Sequence, residues 1–231
     1  MNELNIKSST IEKGLDLAKN FLERVTGPAI DEVGLLLADN VRIWRWKNQI
    51  KILGSAERYA EKHNISLKKI PIKLLVPLLE NASLEENENL QEKWRNLLIN
   101  YVDSTKSFSS SVYPYLLSQL SSNEVALLWK LSTSLVNLNR ADSKIPDGTD
   151  FSHQEFYISD IKIKKDEISN LQRLGLIFEE EKIVNTKIDS AKVSSNEILP
   201  SRLINYELIK TGNIKLTILG KHFVEACSLE E

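Results

Sequence analysis

Apolar residues recur every three or four positions through the first hundred residues, which is the spacing of helices that bury one face. Ser8-Ser9-Thr10 can cap a first helix that ends at Thr26-Gly27, and Pro28 suits the first turn of a second helix that extends to about Lys62. This long second helix carries two apolar stripes instead of one. We therefore predict that neighbouring elements cover it from more than one side.

Two shorter helices are predicted next. Residues 72–81 are apolar with Pro77 among them, which indicates one bent or broken helical segment. Ser83-Leu84-Glu85-Glu86 has the residue types of a capping box. It predicts a helix that begins there and ends at about Val102.

Five serines in residues 104–111 predict a domain boundary. A helical domain of residues 1–104 would precede it, and a second domain of residues 112–231 would follow it. Within the second domain the pattern changes from helices to helices mixed with strands. The predicted elements are, in order, helices at 112–120 and 121–138 (the latter opened by a Ser121–Glu124 capping box), a polar loop at 142–150, a short helix opened by Ser152-x-x-Glu155, a third helix at 164–174 ended by Gly175, a strand at 176–178, a polar wing at 182–212, a strand at 214–218 and a closing helix at 220–229.

This order of helices, strand, wing and return strand is typical of a winged helix-turn-helix. The predicted fold class is therefore mainly α, with a helical N-terminal domain that contains a long helix and a winged-helix-like α+β C-terminal domain. Winged helices bind DNA in some proteins and other proteins in others, so the fold does not decide the function.

Composition narrows the function classes. Of the 231 residues 42% are hydrophobic, and 30 basic against 32 acidic side chains give a net charge of −2, without the basic excess of a sequence-independent nucleic-acid binder. The single cysteine, Cys227, excludes an internal disulfide and fits a reducing compartment. The chain does not start with a secretory leader pattern, and no apolar run approaches the ~20 residues of a membrane span. We therefore expect a cytoplasmic protein without a membrane span.

Motifs that would carry catalysis are missing from the sequence. It contains neither a G-x-x-x-x-G-K-[ST] phosphate loop nor G-x-G-x-x-G, and its three histidines lack metal-ligand spacing. We therefore predict no catalytic, cofactor-binding or metal-binding residue. The alternative is a carboxylate cluster in which Asp31, Glu32 and Asp39 lie near Glu80, although charge at helix starts and on the surface is the simpler explanation of these residues.

Several unusual strings occur in a fixed order. They are residues 27–39 (GPAIDEVGLLLAD), 42–49, 71–83 (PIKLLVPLLENAS) and 90–98, followed by Leu216-Thr217-x-x-Gly220 near the closing helix. Together they resemble the Abi-alpha family, bacterial proteins described as abortive-infection or phage-resistance proteins. The resemblance implies antiviral defence in a bacterial cytoplasm, and it implies no reaction.

The first functional hypothesis is a non-enzymatic defence protein that senses or scaffolds by binding a protein partner or by self-association. Large aromatic and arginine side chains suit protein interfaces. The candidates for this contact lie at the predicted long helix: Arg42, Trp44, Arg45 and Trp46.

The second hypothesis is a winged-helix transcription regulator that binds DNA. Its candidate phosphate-binding residues surround the predicted third helix: Lys162, Lys164, Lys165 and Arg173. Asp160, Asp166 and Glu167 offset most of their charge, which leaves +1 for residues 160–175 from four basic and three acidic residues. A third hypothesis is a toxic hydrolase or nuclease, which would need converging carboxylates.

Overall fold

A computed structural model describes residues 2–26, 43–138, 142–144, 155–158, 161–187 and 204–229. The helices are α1 (Asn2–Thr26), α2 (Ile43–Lys62), α3 (Ile72–Ala82), α4 (Glu88–Val102), α5 (Val112–Leu117), α6 (Ser122–Thr133), α7 (Lys165–Arg173) and α8 (Ile218–Ala226). The strands are β1 (Val136–Asn137), β2 (Asp142–Lys144), β3 (Glu155–Ile158), β4 (Ile161–Lys164), β5 (Ile177–Lys187) and β6 (Ile204–Leu216). The described protein is therefore mainly α with some antiparallel β. None of the described helices combines the length and apolar character needed to cross a membrane.

The chain forms two compact units. Unit 1 contains Met1–Val125 together with Lys221–Glu231, and unit 2 contains Ala126–Gly220. The predicted helical domain of residues 1–104 lies wholly in unit 1, whereas residues 112–125 and the end of the chain also belong to unit 1. As independently folding domains, the ranges 1–104 and 112–231 stay a prediction.

Unit 1 is built from amphipathic helices. On α1, Phe21 and Val25 are fully buried, and this helix packs along α2. Of one predicted stripe on α2, Ile50, Leu53 and Ala60 are buried. The part of the predicted long helix before residue 43 lies outside the described residues.

Helix α3 contains Pro77 and still forms one helical segment, as the apolar run predicts. Helix α4, however, does not begin at the predicted capping box. Its N-cap is Asn87, whose side-chain oxygen accepts hydrogen bonds from the amides of Asn89 and Leu90, while Ser83 caps the end of α3. The prediction at Ser83 was wrong because its hydroxyl donates backward to the Glu80 carbonyl at 2.6 Å.

The predicted capping box at Ser121–Glu124 is confirmed. The Ser121 amide donates to the Glu124 carboxylate at 2.6 Å, and the Glu124 amide donates back to the Ser121 hydroxyl at 3.2 Å. The helix it opens ends at Thr133, not at residue 138. Val136 instead enters strand β1, because its branched side chain is buried where β1 pairs with β6.

The described strands of unit 2 form two antiparallel three-stranded sheets, ordered β2-β3-β4 and β1-β6-β5. The predicted short helix at Ser152-x-x-Glu155 is wrong where the structure describes it, since residues 155–158 form β3. Phe156 and Ile158 are buried there against the β-hairpin partner β4, and this pairing overrides the local capping pattern. The predicted loop at 142–150 is likewise wrong at its start, which forms β2; the rest lies outside the described residues.

The turn from α7 into β5 matches the prediction. Gly175 adopts a left-handed conformation with φ of +69° directly after α7, and Ile177 begins β5. The two strands β5 and β6 continue far beyond the predicted short strands, into the range predicted as a polar wing. They pair without interruption from Glu181–Lys210 to Lys187–Ile204.

The Leu216-Thr217-x-x-Gly220 motif forms a close crossing in unit 2. The Thr217 amide donates to the Leu176 carbonyl at 3.0 Å, and the Thr217 hydroxyl accepts from the Gly220 amide at 2.9 Å. A Cβ on Gly220 would overlap the Leu176 carbonyl oxygen. The motif therefore ends β6, caps α8 and requires glycine at the contact.

Candidate functional site

The predicted DNA-binding residues lie together at the junction of β4 and α7. Lys162, Lys164 and Lys165 are exposed, and the first two alternate with the buried Ile163 along β4. The backbone amide of Lys164 is already satisfied by the Glu167 carboxylate at 2.8 Å. The Glu167 carboxylate is therefore the anion at the start of α7.

Arg173 lies at the other end of α7. Its guanidinium donates to the side-chain oxygen of Asn170 at 2.6 Å, within the same helix. The structure therefore groups the three lysines and places the arginine about two turns away. Whether these residues bind nucleic acid stays a prediction.

The predicted interaction residues at the start of α2 have different positions. Arg42 lies outside the described residues, and Trp44 and Trp46 lie in α2. Arg45 is half-buried, and its guanidinium donates to the Ser83 hydroxyl at 3.0 Å. This arginine holds α2 against the α3–α4 turn in unit 1.

Three amide side chains support the same turn. Asn48 donates to the carbonyls of Ser83 and Glu85, Gln49 to that of Leu79, and Gln91 to that of Glu85. Helix ends leave carbonyls without partners in the helix, and these side chains donate to the Ser83 and Glu85 carbonyls that follow α3, whereas the Leu79 carbonyl also accepts the Ser83 amide at 3.0 Å. The polar cluster therefore has a structural role, and the sequence strings around it include residues 42–49 and 71–83.

A second amide cluster closes the end of α8. The side chain of Asn100 donates to the carbonyls of Ala226 at 2.8 Å and Ser228 at 2.7 Å, and Asn96 donates to that of Cys227 at 3.2 Å. Both asparagines are buried on α4 in unit 1. Burial raises the pKa of the Cys227 thiol, so the thiol stays protonated and unreactive.

An open cleft of about 560 Å³ lies beside this end of α8. Its lining includes Lys106, Phe108 and Glu225. The described side chains that line it do not form a catalytic set of converging polar groups. Among the described residues, no group of three or more His, Cys, Asp or Glu side chains could hold a metal ion. The predicted carboxylate cluster is largely untested, because Asp31, Glu32 and Asp39 lie outside the described residues.

The most unusual surface is the two-stranded ribbon formed by residues 181–187 of β5 and 204–210 of β6. Four large apolar side chains on it are exposed, by 68% for Ile183, 65% for Leu208, 45% for Ile209 and 40% for Val184. Among the described strands, β1 pairs only with residues 213–214, so both edges of the ribbon lack a neighbour. This surface lies in the predicted polar wing of residues 182–212, where the β-branched pieces Ile183-Val184 and residues 203–209 are the signal for it in the sequence.

Charged residues fix the base of the ribbon. A bulge between Glu179 and Glu181 is matched by Gly212, which has a φ of +78° and donates its amide to the Glu179 carboxylate at 3.1 Å. Hydrogen bonds from Lys215 at 2.6 Å and from Asn213 at 2.9 Å hold the pKa of the Glu180 carboxyl below its ordinary value. The ribbon is thus anchored where it leaves the sheet.

Residues 45–227 match the family model described as abortive infection alpha. The chain belongs to the abortive infection alpha family. The match includes parts of both units, with the α3–α4 turn, the ribbon and the Thr217–Gly220 crossing. No curated protein and no solved structure matches the chain.

Membership of the abortive infection alpha family indicates a role in abortive-infection defence. It confirms the family suggested by the sequence strings. The ribbon and the lysines of β4 and α7 both lie inside the matched range, and Arg42 lies outside it.

Proposed function

We propose that this chain acts in abortive-infection defence in the bacterial cytoplasm as a non-enzymatic sensor or protein-interaction module. Unit 2 would serve as a winged-helix-like domain, with α7 as the helix that precedes β5 and the ribbon as its wing. The ribbon would be the surface that contacts protein.

The observation that carries this proposal is the exposure of four large apolar side chains on a ribbon without neighbouring strands among those described. A two-stranded hairpin is only marginally stable in water, and contiguous exposed apolar residues mark protein contact sites. Unpaired strand edges also invite a partner. A protein partner would satisfy all three features.

Plaque formation across a broad phage panel tests the proposal. At least one phage should form fewer plaques on cells that express the chain than on cells that lack it. The variant Ile183→Thr/Leu208→Thr should lose this protection when it is present at the same protein level. Threonine keeps the preference for strand structure and removes apolar surface. The matched control is Leu84→Thr, which alters a side chain that is 54% exposed in unit 1.

Two outcomes would reject the proposal. If the wild-type chain leaves the number of plaques of every phage unchanged, the defence role is rejected. Full protection by the ribbon variant would show that the ribbon is not the contact surface.

A DNA-binding regulator is the second candidate, favoured by the three exposed lysines at the β4–α7 junction. It requires a salt-dependent shift of DNA mobility that is weakened in Lys164→Ala/Lys165→Ala/Arg173→Ala. Absence of binding at low salt would eliminate it. The third hypothesis, a toxic hydrolase or nuclease, has no candidate site among the described residues.

A further inference from the structure

One face of the ribbon carries charged and apolar side chains in a defined arrangement. Side chains two residues apart on a strand share a face, and directly paired residues lie side by side on it. Glu181 pairs with Lys210, and Ile183 pairs with Leu208 two positions along. This face therefore carries an acidic and an apolar residue on β5, next to a basic and an apolar residue on β6.

A two-fold axis parallel to the strands would place β5 of one copy over β6 of the other. Ile183 would then face Leu208 of the second copy, and Glu181 would face Lys210 of the second copy. Both contacts occur twice because a two-fold contact is reciprocal. Sheets that pack face to face keep their strands nearly aligned at a spacing of about 10 Å, which long Glu and Lys side chains can bridge.

We propose that the ribbon binds a second copy of this chain through the face of Glu181, Ile183, Leu208 and Lys210. This inference rests on the proposed role of the ribbon as a contact surface and names its occupant. All four side chains are exposed and available for the contact. The Lys210 Nζ atom lies 3.4 Å from the Glu179 carboxylate of its own chain. This ion pair is weak because the Lys210 side chain is 66% exposed to water.

The opposite face of the ribbon is less suited to this arrangement. Lys182 pairs with Ile209, and Val184 pairs with Glu207. The same two-fold axis would oppose each charged residue to an apolar one, so neither residue would face an opposite charge on the second copy. The order of charges thus selects one face and supplies a matched control on the other.

Sedimentation velocity over a range of concentrations tests the association. The wild-type chain should dimerise reversibly, and Ile183→Thr should weaken the dimer about tenfold. Val184→Thr, the same kind of change on the opposite face, should leave it unchanged. A chain that stays monomeric at every concentration, or a dimer unaffected by Ile183→Thr, would overturn the proposal.

Charge exchange separates contacts between copies from contacts within one chain. Glu181→Lys and Lys210→Glu should each weaken self-association about tenfold, because each places like charges opposite one another. Mixed together, the two variants should form a heterodimer. The first variant then presents a lysine at both positions and the second presents a glutamate at both, so opposite charges face each other at both contacts across the axis. Far-ultraviolet circular dichroism verifies that each variant is folded.

A mixture that stays monomeric while both variants are folded would overturn the proposal. The proposed function fails differently. If the wild-type chain is monomeric and Ile183→Thr/Leu208→Thr still abolishes phage protection, the ribbon contacts another protein and only self-association is rejected.

Discussion

At the scale of single residues, the carbonyl oxygen of Leu176 determines which side chain position 220 accepts. It occupies the space that a Cβ on Gly220 would need, and it also accepts a hydrogen bond from the Thr217 amide. The carbonyl therefore cannot move away without breaking that bond. Glycine is needed here for space, whereas at Gly175 it is needed for a left-handed backbone with no atom within 4 Å of a Cβ.

Gly220→Ala should lower the free energy of unfolding by about 2 kcal/mol or more, as overpacking against fixed backbone does. The midpoint of urea unfolding measures the effect. Gly54→Ala is the control. A Cβ at position 54 would lie 3.5 Å from the Gly14 carbonyl oxygen, an ordinary contact distance, and alanine favours the helix. The urea midpoint of this variant should therefore stay the same or rise. Equal midpoints for wild type and Gly220→Ala would contradict the close contact.

Asn100→Ala should open the end of α8, because the buried carbonyl of Ala226 and the part-buried carbonyl of Ser228 lose this donor. We expect a loss of about 2 kcal/mol. Cys227 is the single cysteine, so the rate at which a thiol reagent modifies the folded chain reports the opening directly. That rate should rise in Asn100→Ala and not in Asn89→Ala, an exposed asparagine on the same helix.

Stability should fall in alkaline solution because burial raises the pKa values of the Cys227 thiol and the Tyr101 hydroxyl. The unfolded chain releases the thiol proton above pH ~8.5, while the folded chain retains it, so each pH unit beyond that point removes up to about 1.4 kcal/mol. The contribution is fully present below the ordinary thiol pKa. Cys227→Ala should flatten the dependence of unfolding free energy on pH between about 8.5 and 10; an unchanged slope would contradict it.

At the scale of elements, two ion pairs of unit 1 differ in burial. Arg24 of α1 donates to Glu57 of α2 at 2.6 Å, and the Glu57 side chain is only 3% exposed. Lys51 and Glu88 lie 3.3 Å apart with side chains that are 55% and 87% exposed. The negative charge of the buried Glu57 is stabilised by Arg24, whereas that of the exposed Glu88 is stabilised by solvent.

Arg24→Met should destabilise the chain by about 3 kcal/mol, because it leaves the Glu57 charge buried without this partner. The second change Glu57→Met should recover most of the loss, since no charge then remains. Lys51→Met should cost less than about 0.5 kcal/mol. Urea unfolding of these variants gives the comparison, and similar losses for Arg24→Met and Lys51→Met would show that the buried pair has no special role.

The elements also show what the sequence could and could not predict. Gly175 and the Ser121–Glu124 box were predictable because each satisfies local backbone groups within a few residues. Strand β3 was not, since Phe156 and Ile158 become strand residues only by pairing with β4. Arg45 was predicted as an interaction residue, yet its hydrogen bond to Ser83 spans 38 positions of sequence and could not be inferred from either segment alone.

At the scale of the whole molecule, unit 1 is completed by residues from the end of the sequence. Phe223 and Cys227 are fully buried, and the ring of Phe223 lies 6.0 Å from that of Tyr113. A fragment of residues 1–125 should therefore expose apolar core and fail to unfold cooperatively. Calorimetry should show a transition for the full chain and none for the fragment; a cooperative transition in the fragment would show that the closing residues are dispensable.

The division of unit 1 between the two ends of the sequence has a consequence during synthesis. Ala126–Gly220 must be translated before the segment that completes the first core. At ~5–20 residues per second this interval lasts roughly 5 to 20 s. Throughout it the nascent first unit lacks Phe223 and Cys227, so a ribosome that stalls within unit 2 leaves an unfinished core that proteases and chaperones can recognise.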